Sequence, residues 1–268
     1  MANPLLNERT FAPTAVAGTG HVGNATFEVT TGRTMSYGGT ASAAGLMLVG
    51  LVIGAVLGWG RVVETTVVDA TGARFTSTAF NGPGWVIAAA IGAFVIAIGT
   101  AFRPLMARFT WLPYSLAEGY VLGAISHLYD SQTRGVAVQA VIATCAVFLA
   151  MLALYGLRIL RATPRFTKGV IAATFGVGAL YLVGFIVSLF NRSALTFFNS
   201  PSPLSIGFSL VIVVIASLNL IIDFDVIERG VKSGAPAAYE WFGAFGLILT
   251  LVWLYLEMLR LLSKLQRR

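Results

Sequence analysis

Charge is what this chain lacks most. Asp, Glu, Lys and Arg make up only 11% of its 268 residues, less than half of the ~25% typical of soluble domains. Apolar residues reach 57%, and mean hydropathy is +0.82. So little charge cannot cover a water-facing surface, which excludes a conventional cytosolic enzyme and a nucleic-acid module. So much apolar content excludes a disordered chain. Cysteine is nearly absent too. Cys145 stands alone inside an apolar run, so no intramolecular disulfide and no cysteine-based metal site can form. Also missing are a Gly-Lys-Ser/Thr phosphate loop, a His-Glu-x-x-His pair and a nucleophile elbow. The net charge of +7 does not revive nucleic acid as a partner, because membrane proteins gather Lys and Arg in loops as orientation signals.

What is present is a series of seven apolar stretches, each near the ~20 residues that cross a ~30 Å hydrocarbon core. They are Ala41–Trp59, Trp85–Phe102, Thr110–Tyr129, Val136–Leu157, Gly169–Phe190, Leu204–Phe224 and Trp241–Leu262. Continuous runs of this length do not suit barrel strands, which alternate over about ten residues. The expected fold is therefore all-α, a polytopic bundle of seven transmembrane helices forming one membrane domain over 41–265. Residues 1–40 are polar, rich in Gly, Thr and Ala, and read as a flexible tail. The loop Arg61–Gly84 has the Val, Thr and turn residues of a small hairpin, and Asn191–Pro203 reads as a polar turn.

Loop charges set the orientation. One side collects Arg9, Arg33, Arg103, Arg108, Arg158, Arg161, Arg165, Lys168, Arg229 and Lys232; the other holds Arg61, Arg74, Arg134 and Arg192. The expectation is an inner (plasma) membrane protein with a cytoplasmic N-terminus. Seven crossings then put Arg260, Lys264, Arg267 and Arg268 outside, whereas a re-entrant last element would put them inside.

Ionisable groups at membrane depth are costly, so they are functional candidates by default. Glu118 lies mid-way along the third and least apolar span, followed by Gly119 and Gly123, which permit close helix approach. It is either a helix-joining hydrogen-bonded acid or part of a transport path. His127 and Asp130, three apart, suit an interfacial hydrogen-bonded pair, since a metal would need more ligands. Asn219 and Asp223 stack one turn apart at the end of the sixth span, with Asp225 and Glu228 on another face. Acids at a helix C-terminus oppose its dipole. They either pair with arginines such as Arg103 or Arg229, form a proton- or cation-responsive gate, or are a solvated cap. Arg103 is a topology signal or a reach into the bundle. Glu257 and Arg260, three apart, are expected to pair locally, and Gly176 and Gly178 look like packing positions. A single deep carboxylate without a clear partner argues against an intramembrane enzyme.

The segment Tyr114-Ser115-Leu116-Ala117-Glu118-Gly119-Tyr120-Val121-Leu122-Gly123-Ala124-Ile125-Ser126 resembles the Glu-Gly segment of the Bax inhibitor-1 / YccA-like family. So does Ile222-Asp223-Phe224-Asp225-Val226-Ile227-Glu228, followed by Tyr239-Glu240-Trp241 and Leu259-Arg260-Leu261-Leu262. The N-terminal Met1-Ala2-Asn3-Pro4 looks like a bacterial branch. The resemblance implies seven helices, with the last and most apolar one surrounded by the other six. It also implies a pH-sensitive calcium or cation leak or, in some members, restraint of a membrane protease. In the leak scheme two aspartates of the last two helices share a proton, and an arginine of the second helix pairs with them. Asp223 matches the first aspartate and Arg103 the arginine. The second aspartate falls at about Thr250, which does not ionise, leaving Asp225 or Glu118 as substitutes. The resemblance implies no cofactor.

Overall fold

The structure is a computed structural model that describes residues 18–22, 25–29, 33–68, 74–80, 83–190 and 200–267. The first seventeen residues of the expected tail, most of the expected polar turn before Pro203, and Arg192 lie outside the described residues. Two short strands, β1 (Gly18–Val22) and β2 (Ala25–Val29), pair antiparallel. Seven helices follow: α1 (Tyr37–Trp59), α2 (Pro83–Phe102), α3 (Ala107–Gln132), α4 (Val136–Gly156), α5 (Pro164–Phe190), α6 (Pro203–Lys232) and α7 (Tyr239–Gln266). The expected hairpin is formed by β3 (Val62–Val68) and β4 (Arg74–Phe80), which pair antiparallel between α1 and α2.

Each expected span is found as a helix, and α6 runs on well beyond it. α6 continues to Lys232, eight residues past the expected end, so Asp225 and Glu228 lie inside the helix and not at its terminus. Its last turn instead carries Arg229 and Lys232, the sign that complements the dipole. The tail reading also fails at its C-terminal end, because α1 begins at Tyr37. Ser36 is its N-cap, with the hydroxyl accepting from the Gly39 N–H at 3.0 Å.

Six of the helices are long and apolar enough to cross a membrane; α3 is the exception. Large apolar side chains such as Val56, Phe94, Ile142 and Phe175 stand exposed around the bundle, a surface that fits hydrocarbon and not water. α3 is held in by α1, which runs parallel to it. A Cβ added at Gly58 would lie 1.9 Å from the Tyr120 carbonyl oxygen, and one at Gly123 would lie 1.9 Å from that of Ala55. Gly54 and Gly119 meet the facing backbone just as closely. The two backbones therefore touch directly through small residues, as helices do when lipid supplies no hydrophobic drive. Gly176 and Gly178 correct the sequence expectation. Nothing lies within 4 Å of a Cβ at either; the two stand on different sides of α5 and both are exposed, while Val177 between them is buried.

α7 packs chiefly against α1, α3, α4 and α6, with α2 and α5 outside. Of its most apolar stretch 56% is buried, against 11% for α5. It is central, yet it is the least hydropathic of the six apolar helices, not the most. The reason is that Glu240, Thr250, Glu257, Ser263 and Lys264 are all buried along it.

Replacing Gly123 by Leu is expected to destabilise the bundle by about 1–3 kcal/mol or more, while Gly176→Ala is neutral or slightly stabilising. Thermal unfolding in detergent checks this, and equal effects would contradict the packing account.

Candidate functional site

α7 organises three polar clusters, and each borrows a partner from a different helix. The first lies at the end where α1 begins. Glu240, 6% exposed, receives hydrogen bonds at Oε1 from the Ser36 N–H (3.0 Å) and hydroxyl (2.9 Å), and Arg33 approaches Oε2 at 3.8 Å. A carboxylate at a helix N-terminus is favoured by the free N–H groups and the dipole. Gly39 leaves the room, since a Cβ there would sit 2.0 Å from Glu240 Oε1. Backbone bonds extend the clamp: Met35 N–H donates to the Ala235 carbonyl (2.6 Å) and Ala237 N–H to that of Arg33 (2.9 Å).

The second cluster lies between α6 and α7. The Asp223 carboxylate faces α7, with Oδ1 3.7 Å from the position a Gly246 Cβ would take and the Thr250 hydroxyl as a polar neighbour. Asp223 is half-buried as a residue, but its Oδ2 is sealed off and has no hydrogen-bond partner among the described residues. Asp223 and Thr250, proposed together from sequence, are thus brought together. Arg103 is not brought to them. It is exposed at the end of α2, opening a 3-10 turn (Pro104–Met106), and forms no ion pair with Asp223 among the described residues. Pro104 and this turn direct the chain into α3 at the bundle's surface.

The other candidates find separate partners. Asp225 is bound by Arg229 at 2.8 Å, one turn along α6. Glu228 accepts from Lys232 and from the Tyr155 hydroxyl of α4. Asn219 Nδ2 donates to Thr174 Oγ1 of α5 and to the Ile215 carbonyl, both at 2.8 Å, so it ties α6 to α5 and not to the Asp223 side. Glu118 is half-buried, one turn after Tyr114, whose ring packs on Phe245 of α7 with centroids 4.4 Å apart. His127 Nδ1 donates to the Trp59 carbonyl at 2.7 Å and stacks on the Trp59 ring, while Asp130 accepts from the first-turn N–H of Ala137 in α4. Among the described residues no three His, Cys, Asp or Glu side chains cluster as metal ligands.

The third cluster lies toward the opposite end of α7. Glu257, 2% exposed, is paired with Arg260 at 3.0 Å, as its spacing suggested. The Tyr181 hydroxyl of α5 donates to Glu257 at 2.7 Å, and the Arg260 guanidinium also reaches Tyr181. Lys264 is 3% exposed; its ammonium donates to Ser209 Oγ (2.7 Å) and the Ser205 carbonyl (3.3 Å) of α6. Sequence reasoning missed Glu240 and Lys264. Both sit in the terminal turns of a long helix and look like interfacial residues. Only the capping serine at 36, followed by two glycines, hinted at the first.

These features define a class: a polytopic helical membrane protein whose polar groups are paired across helices around a central last span. Residues 3–267 match the family model described as Bax inhibitor 1 like, and the chain belongs to that family. No curated protein and no solved structure matches it.

Removing one member of a buried ion pair costs about 3–5 kcal/mol, whereas an exposed pair contributes about 0–1 kcal/mol. Glu257→Gln is therefore expected to lower thermal stability far more than Asp225→Asn, whose partner Arg229 is largely exposed. Equal losses would contradict the assignment of Glu257 as a buried structural anchor.

Proposed function

We propose that this protein is a proton-modulated cation leak, with calcium as the conducted ion, and that Asp223 is its proton-responsive element. The supporting observation is the placement of the Asp223 carboxylate. It lies between two long helices, against Gly246 and the Thr250 hydroxyl, with one oxygen sealed and unbonded. Protonation changes both its charge and its donor capacity. The α6–α7 contact is therefore the element whose two arrangements a proton would bias. In this reading Asp225 and Asn219 brace α6 through Arg229 and Thr174, while Arg103 and Glu118 make no hydrogen bond or ion pair with Asp223 among the described residues. The protein sits in the inner membrane with the α1 N-terminus cytoplasmic, which the basic residues at that end favour.

A non-conducting regulator of a membrane protease or other membrane complex is the second reading. It is favoured by Thr250, a hydroxyl where the leak scheme needs a second ionisable group.

Calcium flux into proteoliposomes, measured from about pH 5 to pH 8, separates the two. The leak reading expects wild-type flux that varies with pH, and an Asp223→Asn variant whose flux has lost that variation. Absent flux, or the same pH profile in both proteins, would overturn it in favour of the regulator.

A further inference from the structure

Beyond the proposed leak, and independently of it, the far end of α7 carries a cavity with the wrong charge for a cation. It has a volume of about 210 Å³ and is lined by Arg260, Ser263 and Lys264 of α7, by Arg267 just past its end, and by Tyr129 and Gln132 of α3. Three basic residues, Arg260, Lys264 and Arg267, are among those that line this space. The nearby carboxylate, Glu257, is already bonded to Arg260 and to the Tyr181 hydroxyl. Lys264 is buried, and its ammonium is held at the first turn of α6, beside the Ser205 carbonyl. That is the positive end of the α6 dipole, an adverse place for a cation. One buried polar atom of the lining, Arg260 Nε, lacks a hydrogen-bond partner among the described residues, and Arg267 donates to Gln132 across the space. Excess positive charge, one unspent donor and open volume coincide.

Depth points to the ligand class. At 1.5 Å per residue, the 28 residues of α7 span about 42 Å, against a hydrocarbon core of about 30 Å. About four residues project at each end, which places Ser263–Gln266 at headgroup level. Basic pockets between transmembrane helices at this level suit anionic lipid headgroups. We propose that this cavity is an anion site for a phosphate group, contributed by a lipid headgroup or by a free phosphate, with Lys264 and Arg267 as the principal ligating cations and Arg260 as the third.

The test is thermal unfolding of the full-length protein in detergent with three additives: inorganic phosphate, short-chain phosphatidylglycerol and short-chain phosphatidylcholine. At saturation the expected rise in Tm over the phosphatidylcholine control is about 5 °C. A rise with phosphatidylglycerol alone identifies a headgroup, a rise with inorganic phosphate alone a soluble anion, and a rise with both a site open to either. The rise should vanish in Lys264→Gln or in Arg267→Gln and persist in Arg161→Gln, an exposed position at the opposite end. Should Lys264→Gln not fold, Arg267→Gln decides alone, since Arg267 is exposed at the cavity rim. Neither anion raising the wild-type Tm above the control would overturn the proposal, as would a rise unchanged in every folded cavity variant.

Discussion

Backbone contact between α1 and α3 is the constraint on which the rest of the bundle depends. α3 is too polar to qualify as a span by hydropathy, and a lone helix carrying Glu118, His127 and Asp130 would be costly in lipid. Gly54, Gly58, Gly119 and Gly123 let its backbone lie directly on that of α1. Dispersion over this close contact replaces the hydrophobic drive that lipid does not supply. With α3 fixed, Tyr114 reaches Phe245 and Ser126 reaches the Tyr255 hydroxyl, so the central helix gains a wall on that side.

The central helix can then carry polar groups that no lipid-facing helix could. Along α7 these are separated by depth. Glu240 locks the start of α1, Thr250 faces Asp223, and Glu257, Arg260 and Lys264 join α5 and α6. Every one of these contacts crosses between helices. They define how α7 is seated. The two ends differ in chemistry. One is a carboxylate clamp on a helix N-terminus; the other is a cavity with surplus cations.

Much of this was legible in the chain. Run length and low charge located every span, and Gly119 and Gly123 were readable as a close-approach surface. The local Glu257–Arg260 pair followed from helical spacing. The end of α6 was misread because Asp225 and Glu228 look terminal after an apolar run. The helix continues because Arg229 and Lys232 answer them one turn on. Arg103 was expected at Asp223 because the family resemblance implies an arginine of the second helix as its partner, but the turn at Pro104 leaves it exposed. Glu240 and Lys264 escaped notice for a different reason. Their partners, Ser36 and Ser209, are 204 and 55 residues away, and no periodicity within one helix signals such a contact.

The account stands or falls on α3 crossing the membrane as a full member of the bundle. Single cysteines in place of Arg103 and Arg134, which flank α3, can be tested in intact membranes with an impermeant thiol reagent, in a Cys145→Ser background. The account predicts labelling of the two positions from opposite sides. Labelling of both from the same side would contradict it.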